Sequence, residues 1–184
     1  MKGEIVKALV KAGCIKFGKF KLSSGRESHV YVDLRTLYSR PEELRVVIGE
    51  LARLVENLGA EYVCGVETSG IPLASIIAYE LGKPMIYVRK RPKEHGTSRL
   101  IEGAPESGHT AVVVDDVSTT GSSLARAVVA LRSAGMVVED AVVVVDRQEN
   151  CLERLSELGV RLHSLVTLKE LLGSLRSSKV EDRG

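Results

Sequence analysis

Ala111-Val112-Val113-Val114-Asp115-Asp116-Val117-Ser118-Thr119-Thr120-Gly121-Ser122-Ser123 joins four apolar residues, two adjacent carboxylates and a turn rich in hydroxyls and glycine. An uninterrupted apolar run of this kind reads as a parallel strand covered on both faces. Leu124, Ala127, Val128 and Leu131 follow at helical spacing. The turn between them therefore sits at the carboxyl end of a strand, the ligand-binding edge of an open α/β sheet. Backbone N–H groups of residues 119–123, with the hydroxyls around them, suit a monophosphate at a helix N-terminus. Asp115 and Asp116, one step upstream, are placed to accept hydrogen bonds from vicinal sugar hydroxyls. Two adjacent acids before such a turn are more than an ordinary N-capped helix needs. A Walker B strand would also end in acids, but the chain has no GxxxxGK[ST] loop.

Outward from this stretch, short apolar runs alternate with helical patterns. Residues 41–58 place Leu44, Val47, Ile48, Leu51, Leu54, Val55 and Leu58 on one helical face. Ser39 and Glu42 stand at capping-box spacing, and Gly59 is a stop signal. Strands are expected at 62–66, 85–89, 141–145 and 160–166, a helix at 71–81, and a last helix capped by Thr167 and Glu170. The alternation predicts a doubly wound, mostly parallel α/β sheet flanked by helices. One domain spans residues 1–184: a helix and a small β hood in 1–40, the α/β core in 41–173, and a polar, frayed tail in 174–184.

Composition narrows the class. The 184 residues carry a net charge of only +2, too little to imply a nucleic-acid or membrane surface. No apolar run approaches the roughly 18 residues that span a bilayer, and no signal-peptide pattern opens the chain, so the expected location is the cytoplasm. Cys14, Cys64 and Cys151 are widely spaced without a CxxC pattern and read as buried reduced thiols. His29, His109 and His163 are read as structural or solvated.

Three further segments carry chemistry. Residues 20–35, running Phe20-Lys21-Leu22-Ser23-Ser24-Gly25-Arg26-Glu27-Ser28-His29-Val30-Tyr31-Val32-Asp33-Leu34-Arg35, read as strand, turn and strand ahead of the main sheet. Gly65-Val66-Glu67-Thr68-Ser69-Gly70-Ile71 is a strand-to-helix turn in which Gly70 permits close backbone approach and the helix N-terminus faces an anion. Residues 89–103 begin at a strand end, hold Arg89, Lys90, Arg91, Lys93, His95 and Arg99, and contain Pro92, Gly96 and Gly103. Such a segment is expected to be a mobile surface loop; by itself its charge also reads as a solvated basic run.

Residues 111–123 closely resemble the phosphoribosyl pyrophosphate (PRPP) signature of the type I phosphoribosyltransferases. Within that family, Leu22, Ser24, Gly25, Ser28, Tyr31, Asp33 and Arg35 match in spacing the hood motif of the orotate phosphoribosyltransferases. Arg89, Lys90, Lys93, His95 and Gly96 match their catalytic loop, and Asp146-Arg147-Gln148-Glu149 matches their Asp-Arg-x-Glu. This chain has Ser23 where some members carry lysine, and Thr68-Ser69 where some carry an aromatic-lysine pair.

The resemblance implies transfer of the phosphoribosyl group of PRPP to orotate, giving orotidine 5′-monophosphate and pyrophosphate. PRPP would be held by Thr68, Ser69, Gly70, Arg89, Lys90, Lys93, His95, Asp115, Asp116, Val117, Ser118, Thr119, Thr120, Gly121, Ser122 and Ser123. Ser24, Gly25, Tyr31, Thr119 and Arg147 would hold orotate, Arg147 on its carboxylate, and Lys93, His95 and Asp116 would be catalytic. Mg²⁺ would arrive with PRPP, held mainly by its phosphate oxygens and waters with few protein ligands, and no metal-binding residues are named. The implied assembly is a homodimer in which loop 89–103 completes the neighbour's site. The alternatives are a purine phosphoribosyltransferase, for which Arg147 has no use, and a PRPP-sensing regulator, which needs no complete catalytic loop.

Overall fold

The computed structural model describes residues 2–21, 25, 27–91 and 100–181. The chain runs α1 (Lys2–Lys11), β1 (Ile15–Lys21), β2 (Glu27–Val32), a 3-10 turn (Leu34–Ser39), α2 (Pro41–Leu58), β3 (Tyr62–Val66), α3 (Gly70–Leu81), β4 (Met85–Val88) and β5 (Ile101–Glu102). It continues as β6 (Thr110–Ser118), α4 (Ser122–Ser133), β7 (Val137–Asp146), α5 (Cys151–Glu157), β8 (Arg161–Thr167) and α6 (Leu168–Glu181). β1 and β2 form a separate antiparallel pair, the expected hood. The main sheet has the order β5-β4-β3-β6-β7-β8. Every pairing in it is parallel except β4 with β5.

The apolar strands alternate between two buried layers, as a sheet covered on both faces requires. Val112, Val114, Val142 and Val144 join the core under α1, α2 and α3, with Leu9, Leu51 and Ile77. Ala111, Val113, Ala141 and Val143 face the other way, against Leu124, Leu131 and Leu155 of α4 and α5. All three cysteines are buried and free, as their spacing predicts. α3 follows β3 toward β4, whereas α4 follows β6 toward β7. The sheet therefore reverses direction between β3 and β6, and the crevice at their carboxyl ends is the topological switch point where ligands bind.

Several local expectations are corrected. α2 has Arg40, not Ser39, at its cap, without a side-chain cap bond, and opens on Pro41, where the absent N–H costs nothing. The reciprocal capping box does form at α6: Thr167 N donates to Glu170 Oε2 at 2.8 Å, and Glu170 N to Thr167 Oγ1 at 3.2 Å. From there α6 runs to Glu181; residues 182–184, the end of the polar tail, lie outside the described residues. β5, with two residues, is too short to leave a periodic signal. β6 does not end at Val114 but continues through both aspartates, because β7 pairs with it as far as Ser118 opposite Asp146.

Candidate active site

A cleft runs along the carboxyl ends of β3, β4, β6 and β7, roofed on one side by the hood, and continues as a groove along α4 and α5, about 1760 Å³ in all. Its walls bring together the turn after β3, the start of loop 89–103, the end of β6 with its turn, and Arg147 after β7. The two aspartates lie within the strand, so they project to opposite sides of the sheet edge. Asp115 Oδ1 accepts from Asp116 N at 2.9 Å, and Asp116 Oδ1 from Val117 N at 2.7 Å. Burial, then the charge of Asp116, pushes the Asp115 carboxyl well up, while Lys90 pulls it down. Burial also raises Asp116, opposed by hydrogen bonds from Val117 N and the Ser69 hydroxyl. Two close carboxylates in partly desolvated surroundings repel one another, and donors or cations entering the cleft would relieve that cost.

Beyond Ser118 the chain turns into α4 through Gly121, whose φ of 72° is left-handed. A Cβ there would lie 2.8 Å from the Cys151 sulfur, so only glycine fits both the backbone and the packing. No side chain caps α4, and its first N–H groups are left for an anion. Thr120 Oγ1 and Ser122 Oγ lie 3.0 Å apart at the mouth of the turn. Across the crevice, Thr68 and Ser69 line the cleft. Gly70 packs tightly on β6: a Cβ would approach Val114 O to 2.3 Å and Asp115 Cα to 3.2 Å. It lets α3 press onto β6 and so sets the spacing between the turns that follow β3 and β6. Tyr38 donates its hydroxyl to Ser69 O at 3.2 Å, and burial with the nearby Asp116 and Asp115 charges pushes its pKa up to about 12.

Arg89 and Lys90 line the cleft where β4 ends. Arg89 N donates to Leu100 O at 2.8 Å, and Lys90 N to Glu67 Oε2 at 2.6 Å, so the two ends of loop 89–103 are held together and joined to the turn after β3. Lys93 and His95 lie outside the described residues.

Arg147 is only 8% exposed, unlike a surface arginine. Its Nε donates to Glu149 Oε1 at 2.9 Å, its Nη1 to Val30 O at 3.2 Å and its Nη2 to Ser28 Oγ at 3.2 Å. The guanidinium thus pins the hood to the end of β7 and retains two N–H bonds beyond those three. Asp146 shapes the turn that delivers it, accepting from Ser118 Oγ at 2.7 Å and from Gln148 N at 2.9 Å. In the hood, Tyr31 stacks on Phe20 with ring centroids 5.4 Å apart and lines the cleft. Asp33 is buried between Lys16 Nζ at 2.8 Å and Arg35 Nε at 2.6 Å. These bonds, Arg35's foremost, hold its pKa down at about 2.

The cleft therefore gathers Tyr31, Thr68, Ser69, Arg89, Lys90, Asp115, Asp116, all of residues 117–123 and Arg147. Gly25 sits near the hairpin tip with φ 82°, outside the cleft lining; Ser24 lies outside the described residues. His163 bonds Asp140 at 2.7 Å and His109 bonds Glu61 at 2.9 Å, both away from the cleft. Lys16, Tyr38 and Glu67 escaped the sequence reading. They act through partners 17 to 31 residues away, and the one local hint was a tyrosine that needs a partner when buried.

Residues 34–162 match the family described as the phosphoribosyl transferase domain, so the fold is that of a phosphoribosyltransferase, and the chain belongs to that family. The orotate phosphoribosyltransferase of Pyrobaculum islandicum is 47% identical over 94% of this chain and 90% of its own length. The crystal structure of orotate phosphoribosyltransferase from Aeropyrum pernix superimposes with a TM-score of 0.82 at 43% identity, over 93% of this chain and 97% of that one. That of Mycobacterium tuberculosis, in complex with PRPP, gives 0.74 at 30% identity, over 92% and 98%. Within the family, the chain belongs with the orotate phosphoribosyltransferases.

Proposed function

We propose that this chain transfers the 5-phosphoribosyl group of PRPP to N1 of orotate, releasing pyrophosphate and orotidine 5′-monophosphate in pyrimidine synthesis. The observation that carries the choice of base is Arg147, a buried cation at the cleft wall with two N–H bonds to spare and a hood strand beside it. Orotate is a planar carboxylate, which a guanidinium pairs in bidentate fashion; a purine offers nothing to that charge. The ribose hydroxyls of PRPP meet Asp115 and Asp116, its 5-phosphate the turn of residues 118–123, and its pyrophosphate Thr68, Ser69, Arg89 and Lys90.

The bond from C1 of the ribose to the pyrophosphate oxygen breaks ahead of attack by N1, so positive charge develops on the sugar and negative charge on the leaving group. The carboxylates face the first and the cations the second, which makes the protein's part electrostatic and positional. Mg²⁺ carried by PRPP suits the oxygen donors of this cleft and, when bound, neutralises phosphate charge. Lys93 and His95 complete the cation set, reaching over the site of a second subunit in a cytoplasmic homodimer. No helix among the described residues is long and apolar enough to cross a membrane.

The test mixes the chain with PRPP, Mg²⁺ and orotate, uracil, adenine or hypoxanthine in turn, and follows pyrophosphate release. Orotate alone should be consumed at an appreciable rate. Equal release with hypoxanthine would overturn the assignment of Arg147.

A further inference from the structure

We propose that Arg154 is a positioning residue for the phosphate turn: from α5 it holds the Thr120 carbonyl outward, so that the N–H groups of the turn face the cleft. This rests on the reading above that residues 118–123 hold the 5-phosphate of PRPP. A turn that binds an anion through N–H groups must point the accompanying carbonyls elsewhere, because a carbonyl oxygen aimed at phosphate repels it, and a carbonyl turned away needs its own donor. Three carbonyls of this turn have one. Ser118 O accepts from Arg147 N at 3.0 Å and Gly121 O from Ala125 N at 2.8 Å. Both donors are backbone groups that the β7 pairing and the first turn of α4 supply for any sequence.

Thr120 O is different. Its donor is a side chain, Arg154 Nε at 2.8 Å, 34 residues further along the chain. α5 is seated to deliver it: Cys151, buried one turn earlier, packs so closely on Gly121 that a Cβ there would meet both its Sγ and its Cα. Arg154 borders the groove that continues from the cleft along α4 and α5, and a guanidinium on that carbonyl adds positive field behind the N–H groups.

The test compares wild type, Arg154→Met and Arg154→Lys for binding of ribose 5-phosphate and, separately, of Mg²⁺-pyrophosphate, with KM for PRPP and kcat. Arg154→Met should weaken ribose 5-phosphate binding and raise KM for PRPP about tenfold, the scale of a charge-assisted hydrogen bond. Pyrophosphate binding and kcat should stay within about twofold, which a general structural disturbance would not allow. Arg154→Lys should recover less than half of the loss, because lysine lacks the fixed Nε donor. Ser123→Asp, which sets a carboxylate in the turn, serves as the reference for the underlying reading. If Ser123→Asp abolishes ribose 5-phosphate binding while Arg154→Met changes nothing, the role of Arg154 is wrong and the phosphate site stands. If neither matters, the phosphate lies elsewhere and both fall. Full rescue by lysine, or equal loss of pyrophosphate binding, would also overturn the positioning role.

Discussion

Asp33→Asn isolates what one carboxylate of the hood motif does. Asp33 has a side chain only 9% exposed and accepts from Lys16 and Arg35. Its pKa of about 2, against an ordinary 3.8, corresponds to roughly 2 kcal/mol of folding stability at neutral pH. The partner side chains are 47% and 62% exposed, and solvent screening brings the expected loss to about 1–2 kcal/mol. Because the folded-state pKa is depressed, this contribution is complete above about pH 4, where the unfolded chain is ionised, and disappears as pH falls toward 2. Urea unfolding of both proteins at pH 7 and pH 3 checks it. At pH 7 the variant should unfold at lower urea and melt about 3–6 °C earlier; at pH 3 the gap should be roughly half as large. Equal stability at pH 7, or a gap that does not change with pH, would show that the Lys16-Asp33-Arg35 cluster does not hold the hood.

Asp115→Asn should do the opposite: burial and Asp116 raise its carboxyl, so removing the charge should stabilise the free protein at pH 7 and leave it unchanged below about pH 4. PRPP should then bind about tenfold more weakly; a destabilised variant at pH 7 would contradict the repulsion between the two aspartates. Arg147→Lys keeps a charge but loses the planar fork, and should raise KM for orotate at least about tenfold with little change for PRPP. An unchanged KM for orotate would remove Arg147 from base recognition. Finally, Lys93→Ala and Asp116→Asn, each inactive alone, should regain activity when mixed under subunit exchange. Shown heterodimers without activity would place the loop over its own chain's site.

Local periodicity was enough for much of this molecule. The apolar runs at 62–66, 111–114 and 141–145 imply parallel strands buried on both faces, and their residues alternate between two cores as a covered sheet must. α2 begins at Pro41 and ends at Leu58, where the apolar stripe and Gly59 place it. The run from Ala111 to Ser123 placed a strand-to-helix turn at the cleft, since the order strand, acids, glycine and helix is written in consecutive residues. Thr68, Ser69, Arg89, Lys90 and Arg147 were legible for the same reason: each ends a strand, and strand ends in a parallel sheet share one edge.

What the tertiary structure alone decided are pairings between residues far apart in the chain. Asp115 and Asp116 lie inside β6, half-buried, because β7 runs long enough to pair beyond them. Gly70 is set by the backbone of β6 that it touches, and Glu67, Tyr38 and Arg154 each hold a cleft-lining segment through one long-range hydrogen bond. Arg147 became a buried link between sheet and hood through partners 117 and 119 residues distant. A side chain's spacing records which face of its own element it occupies. Which group waits on the other side depends on strand order and loop path, and those follow from packing the whole chain.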